Sequence, residues 1–317
     1  MVPHKPKTDQ RRLPKKKRAK KPSAFRITDR DVELVRALSK YRYLLIDQID
    51  WLFPDSSKDK LTRRLNLLFH HGYLNREKLA EVGNQYIYGM REKGAGLLAE
   101  NDGVTRDKIV WKRHQNQVKA AHIRHLLDVN SVVIAFEVGL AESVLNGEIE
   151  QYLVRAGSPK SDTLSVIVRD KDGARKTASV VPDGILGIKF NTGEIGIFFI
   201  EVERGTIPPK RWENKIAIYR EYARSEDLIE KFRTKWFIVL TITSTEKKLR
   251  SRAKSTIIAG GKRAFWYTTA DKTEPDSILN QIWIRASDLF QLRNERTEPL
   301  STFRNAPLTS ILDTIKG

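Results

Sequence analysis

Two acidic motifs bracket a pair of apolar runs and set the terms for the whole chain. Val180-Val181-Pro182-Asp183-Gly184 leads into the run Ile185 to Phe190, and the run Ile195 to Ile200 leads into Glu201-Val202-Glu203-Arg204-Gly205-Thr206. A polar turn containing Asn191 and Gly193 parts the two runs. Short runs rich in Ile and Phe, broken by Asn and Gly, predict a β-hairpin with buried faces. Asp183 then stands at the entrance of one strand and Glu201 at the exit of the other. Residues directly opposite on antiparallel strands lie about 5 Å apart, so the two carboxylates meet at one end of the sheet.

Acids gathered beside buried strands are costly unless positive charge sits among them. A divalent cation, Mg²⁺ or Mn²⁺, is the expected solution, with Asp183, Glu201 and Glu203 as ligands. Hard cations take carboxylate oxygens and keep waters, and a polarised water attacks a phosphodiester. The plainer reading stays open beside it: Asp183 in a Pro-Asp-Gly turn, with the glutamates as solvated charges at a strand end.

The 317 residues have room for about two domains. Hydrophobic content is 40%, with no apolar run of the ~20 residues that a membrane span needs and no signal peptide. Cysteine is absent, which excludes disulfides, thiolate zinc sites and a cysteine nucleophile, and fits a cytoplasmic protein. The formal net charge is +19. Residues 1–21 carry ten Lys/Arg against one Asp, so the basicity belongs to both an N-terminal segment and the folded body. Such an excess favours nucleic acid as partner through counterion release and steering. Residues 1–24 are expected to form a disordered basic arm that grips phosphates.

Residues 25–100 predict three helices and a ribbon. Thr28 caps the first helix, whose buried face is Leu34, Val35 and Leu38. Tyr43 to Phe53 reads as the second, stopped by Pro54. Ser56 or Ser57 caps a third, with Leu61, Leu65, Leu68 and Phe69 inside. Two strands, Leu74 to Leu79 and Gln85 to Met90, and a short helix, Lys93 to Glu100, follow. This order predicts a winged helix-turn-helix whose third helix enters the major groove of double-stranded DNA. Lys58, Lys60, Arg63, Arg64 and Asn66 would reach bases or phosphates, and Arg76 and Lys78 the backbone beside the wing. A solvated charged face, or a protein-docking module, is the alternative.

A linker is expected at residues 101–116 and an α/β domain at 117–290. The domain opens with a helix from Gln117 to Ser143. Strands follow near Gln151–Val154 or Leu164–Val168, at Ala178–Phe190 and at Ile195–Glu203. A helix from Arg211 to Arg224, a strand Trp236–Thr243, a basic helix 246–258 and a strand Phe265–Thr268 complete a mixed sheet. A strand-like Ile282–Arg285 precedes a poorly patterned tail, 291–317. The fold class is α/β (α+β).

Pro-Asp leading a hairpin and Glu-x-Glu following it resemble the PD-(D/E)xK, restriction-endonuclease-like superfamily. The resemblance implies that Asp183 and Glu201 bind Mg²⁺. Glu203 stands where that family carries a lysine, and Lys215 on the following helix is placed to supply it, near Tyr219 and Tyr222. Across about residues 25–245, the basic winged helix, Pro-Asp-Gly, Glu-Val-Glu-Arg-Gly-Thr and Lys215-x-x-x-Tyr219 resemble the replication-relaxation family of bacterial mobile elements. That resemblance implies action on DNA during replication, transfer or relaxation, alongside other replication or transfer proteins. Two functions follow as expectations. One is a Mg²⁺-dependent endonuclease or nickase with Asp183, Glu201, Glu203 and Lys215 as its catalytic set. The other is a regulator or replication adaptor whose nuclease-like domain is a scaffold. A third idea makes Tyr219 or Tyr222 the nucleophile of a relaxase. Oligomeric state is not legible.

Overall fold

Thr28 opens the first helix through its own backbone. Its amide and hydroxyl both donate to the Asp31 carboxylate, at 2.8 and 2.7 Å, fixing the first turn. The computed structural model describes residues 17–22, 24–111, 120–169, 173–205, 207–293, 296–299 and 306–315. The chain divides into two units, Met1–Leu127 and Asp128–Gly317.

In the first unit, α1 (Asp29–Tyr41) is followed by a strand, β1 (Tyr43–Leu45), before α2 (Ile46–Leu52). The helix expected from Tyr43 to Phe53 is therefore shortened at its start. Arg42 adopts φ of 68°, which breaks the helical path, and Tyr43 pairs with Gly89 of a later strand. A Cβ at Gly89 would lie 3.0 Å from the Tyr43 ring, so the glycine admits the aromatic strand. Next come α3 (Lys58–His70), β2 (Leu74–Leu79), β3 (Gln85–Met90) and α4 (Glu92–Asn101). The three strands form one antiparallel sheet in the order β1-β3-β2. Leu34, Val35, Leu38, Leu61, Leu65 and Leu68 are buried at helical spacing, and each such side chain contributes about 1.5–3 kcal/mol.

Most of the expected arm, residues 1–16, lies outside the described residues, as does 112–119 of the expected linker. Beyond them the basic segment is anchored. Arg18 donates to the carbonyls of Phe69 and Leu74 at 2.9 and 2.8 Å, and its guanidinium covers the Phe69 ring at 4.6 Å.

The long helix α5 (Ala120–Leu145) leads into β4 (Ile149–Ala156), and a hairpin of β5 (Leu164–Arg169) and β6 (Arg175–Val180) follows. Then come β7 (Gly184–Phe190), β8 (Ile195–Glu203), α6 (Pro209–Tyr222), α7 (Glu226–Phe232), β9 (Phe237–Thr243), α8 (Glu246–Ile258) and β10 (Phe265–Thr269). The short β11 (Ile284–Arg285), α9 (Ala286–Leu289), β12 (Phe290–Arg293) and β13 (Arg296–Pro299) close the described elements. Six strands form a mixed sheet in the order β11-β10-β9-β8-β7-β4, giving the α+β class expected. Strands β8, β9 and β10 run parallel, and β7 and β4 pair antiparallel.

In this unit the structure departs from the sequence expectations at three further places. The single strand expected at Ala178–Phe190 is two strands in separate sheets, because Pro182 lacks an amide donor and interrupts the ladder between β6 and β7. Helix α7 was not anticipated, although Ser225 followed by Glu226 and Asp227 carries an N-terminal signal. The poorly patterned tail holds the β12–β13 hairpin and buried Ile311. Trp283, itself buried, bridges to Thr309.

Phe199 on β8 centres the core facing α6. Its ring meets Phe237 at 4.8 Å, Phe232 at 5.5 Å and Tyr219 at 5.7 Å. The side chain two residues before it on the strand, Ile197, and Trp212 and Ile216 of α6 join the same cluster.

Candidate functional site

Alternation along β8 decides what Glu201 and Glu203 face. Phe199 points to the α6 core, so residues 201 and 203 point to the same side. Both are buried, at 1% and 3% exposure. They lie at the carboxyl end of a parallel strand, where open α/β sheets place their ligands.

The hairpin register brings Asp183 to Glu201. Gly184 pairs with Ile200, so the residue before β7 sits opposite Glu201, and Asp183 accepts the Val202 amide at 2.8 Å. A glycine that the sequence reading passed over holds this corner. The Gly157 amide donates to the Asp183 carbonyl at 2.8 Å, and a Cβ at Gly157 would sit 1.9 Å from the Pro182 oxygen. Only glycine fits there.

Helix α6 starts at Pro209, a residue pre-organised for a first turn. One helical turn apart, Lys215 and Tyr219 reach Glu201. The Lys215 ammonium pairs with one carboxylate oxygen and the Tyr219 hydroxyl donates to the other at 2.5 Å. Burial pushes the Glu201 carboxyl up to about 7, with the Asp183 charge adding to the rise and Lys215 opposing it. Burial works against the Lys215 charge, but Glu201 and Asp183 together outweigh it and hold its pKa above the usual lysine value. Tyr219 is raised well above the ordinary phenol by burial and by Glu201. Both Tyr219 and Tyr222 are buried, so neither hydroxyl is presented to a strand as a nucleophile.

Glu203 does not join this cluster. It accepts the Gly205 amide and lies 3.4 Å from Arg252 of α8, while its Oε2 has no hydrogen-bond partner among the described residues. Lys248 and Arg252 donate to the carbonyls of Arg204 and Ile207, so α8 clasps the loop after β8. Among the described residues, no group of three or more His, Asp and Glu is placed to hold a metal. Of the expected trio, Asp183 and Glu201 adjoin, while Glu203 is engaged by the Gly205 amide and Arg252. What remains is a pair of hard carboxylates, with Lys215 paired to Glu201. That donor set fits Mg²⁺ or Mn²⁺, which bind through one or two carboxylates plus water and phosphate oxygens.

In the first unit the seven basic and polar positions expected to reach DNA separate into two groups. Arg64 pairs with the fully buried Asp31 and covers the Phe25 ring at 4.7 Å. Arg76 lies between the rings of Phe69 and Tyr86, at 4.2 and 4.7 Å, and donates to Asn66 at 2.9 Å. These three side chains brace α3 against its neighbouring elements. Lys58 is exposed and paired with Asp47. Lys60, Arg63 and Lys78 are exposed and make no ion pair among the described residues. No helix among the described residues is long and apolar enough to cross a membrane.

A search of curated proteins finds no match, and a search of solved structures finds none. The replication-relaxation family model matches residues 35–235, more than half of the chain, and that stretch contains α3, the Asp183–Glu201 hairpin and Lys215. The chain belongs to the replication-relaxation family.

Proposed function

We propose that this protein acts on DNA in the replication or transfer of a mobile element, as a metal-dependent endonuclease or nickase. The observation that carries the reading is the convergence of Asp183, Glu201 and Lys215 at the end of one hairpin. Asp183 and Glu201 would hold Mg²⁺ or Mn²⁺, which would supply an activated water and charge neutralisation. Lys215 places its ammonium where negative charge builds on the phosphoryl oxygens. In the hydrolysis a water oxygen bonds to phosphorus, the bond to the leaving oxygen breaks, and that oxygen departs with a proton. Tyr219 keeps Glu201 oriented. The first unit acts as a winged helix-turn-helix, with Lys60, Arg63 and Lys78 on duplex phosphates or base edges.

The test is supercoiled plasmid incubated with the protein and Mg²⁺ or Mn²⁺, with Asp183→Ala as control and binding followed by gel shift. Nicking that disappears in the variant while binding persists is the expected result. Binding without nicking in either metal would sink the nuclease reading.

A second reading has its own observation. Both oxygens of Glu201 are already engaged by Lys215 and Tyr219, a closed arrangement suited to a scaffold. On that reading the protein is a DNA-binding regulator or replication adaptor.

A further inference from the structure

Beside the acidic cluster, a cleft of about 300 Å³ opens between the end of β6 and the first turns of α6. On the helix side it is lined by Arg211, Asn214, Lys215 and Ile218. Their spacing of three and four puts them on one face. Ser179, Val180 and Val181 form the opposite wall, and Ile207 closes the rim. Arg211, Asn214 and Ser179 are exposed and make no side-chain hydrogen bond or ion pair among the described residues. Lys215 belongs both to this cleft and to the Glu201 pair.

The lining combines two chemistries. Arg211 and Asn214 are donors without acceptors, set beside an ammonium, and a guanidinium matches a phosphate in two-point geometry. The aliphatic side chains offer a surface for a sugar or a base. A paired duplex keeps its bases in the stack, and a cleft of this size stands at the lower end of the range for small-ligand sites. It has room for one nucleotide unit drawn out of a stack, as in enzymes that take a single base into a pocket.

We propose that this cleft seats one nucleotide of an unpaired DNA strand next to Asp183, Glu201 and Lys215. Arg211 and Asn214 hold its phosphate, and Val181, Ile207 and Ile218 pack on its sugar and base. The assignment rests on the strand-cleavage reading above, since it gives that site its substrate: a single strand or an unpaired junction.

The experiment measures binding of a labelled single-stranded oligonucleotide and of the matching duplex to the full chain in the presence of chelator. Arg211→Ala removes a charge with no partner to disturb, and Ser179→Trp fills the cleft without changing charge. Lys235→Ala, an exposed lysine of the same unit, is the control. Arg211→Ala should weaken single-strand binding roughly tenfold and lower its salt slope by about 0.7, with duplex binding changed less than about twofold. Ser179→Trp should give a comparable single-strand loss. Equal effects of Arg211→Ala and Lys235→Ala, equal loss on duplex, or undiminished single-strand binding by Ser179→Trp would each overturn the assignment. Chelator makes these readings independent of cleavage, so a protein that never nicks plasmid defeats the nuclease reading alone.

Discussion

Tyr219 and Glu201 are joined by a buried hydrogen bond of 2.5 Å, with the phenol as donor and the carboxylate as acceptor. On the nuclease reading proposed above, the tyrosine is a positioning residue for the acid and not a nucleophile. Removing its hydroxyl leaves a buried oxygen short of a donor, which costs about 1–3 kcal/mol. Tyr219→Phe should lower the denaturation midpoint by that equivalent and slow any strand cleavage. Wild-type protein denatured after reaction should carry no covalently attached DNA. A DNA adduct that is lost in the Phe variant would reverse this assignment.

Gly157 sets the position of Asp183 through backbone alone. Because a Cβ there would meet the Pro182 oxygen at 1.9 Å, Gly157→Ala must displace the Val181–Asp183 segment. Strain of this kind costs on the order of 1–3 kcal/mol. The expected outcome is a protein that folds, binds DNA as before, and loses metal-dependent nicking as Asp183→Ala does. Unchanged nicking in Gly157→Ala would show that the segment yields without consequence.

Glu203 separates a two-carboxylate site from a three-carboxylate one. Its contacts are the Gly205 amide and Arg252, both serving the loop after β8. Glu203→Gln keeps shape and an acceptor, so it should cost stability while leaving metal-dependent nicking within a few-fold of the wild type. Asp183→Asn or Glu201→Gln should abolish nicking. Equal loss in all three variants would restore Glu203 as a metal ligand.

The hairpin that carries the site was legible because its signals are local. Ile and Phe runs, a polar turn containing Asn191 and Gly193, and flanking acids fix β7, β8 and the register that sets Asp183 opposite Glu201. Lys215 was legible too, since one helical turn separates it from Tyr219. The fate of Glu203 was not, because Arg252 lies 49 residues further on the chain and meets it only in the folded sheet. The same applies to Arg64 and Arg76. As residue types they read as DNA contacts, but their partners Asp31, Phe69 and Tyr86 come from other elements. Gly157 was silent because its meaning is a distance to another strand's connection, not a turn.

Proton linkage at Glu201 has a definite sign. The folded protein holds this carboxyl at about 7, against an unperturbed glutamate near 4.3. The folded state therefore binds a proton that the unfolded chain releases in that window. Its contribution to stability is fully present below about pH 4.3 and is lost as pH rises through about 7. The total is on the order of 3 kcal/mol. Glu201→Gln removes this titration, so its stability should change less with pH between about 5 and 7 than that of the wild type. Chemical denaturation across that range reads the slope, and parallel curves for the two proteins would refute the linkage.

The basic residues of α3 and β2 differ in what their removal should do. Lys60, Arg63 and Lys78 project from the surface, whereas Arg64 offsets the charge of Asp31, which is 0% exposed. Arg63→Ala and Lys60→Ala should each weaken duplex binding and reduce the salt slope by about 1 per lost phosphate contact, with thermal stability unchanged. Arg64→Ala leaves a buried carboxylate without its ion-pair partner and should destabilise the first unit by roughly 3 kcal/mol. Its remaining folded fraction should bind duplex nearly as well as the wild type. The opposite pattern, with a stable Arg64→Ala protein that fails to bind and a Lys60→Ala, Arg63→Ala double variant that binds normally, would place the duplex on the face of α3 turned toward Asp31.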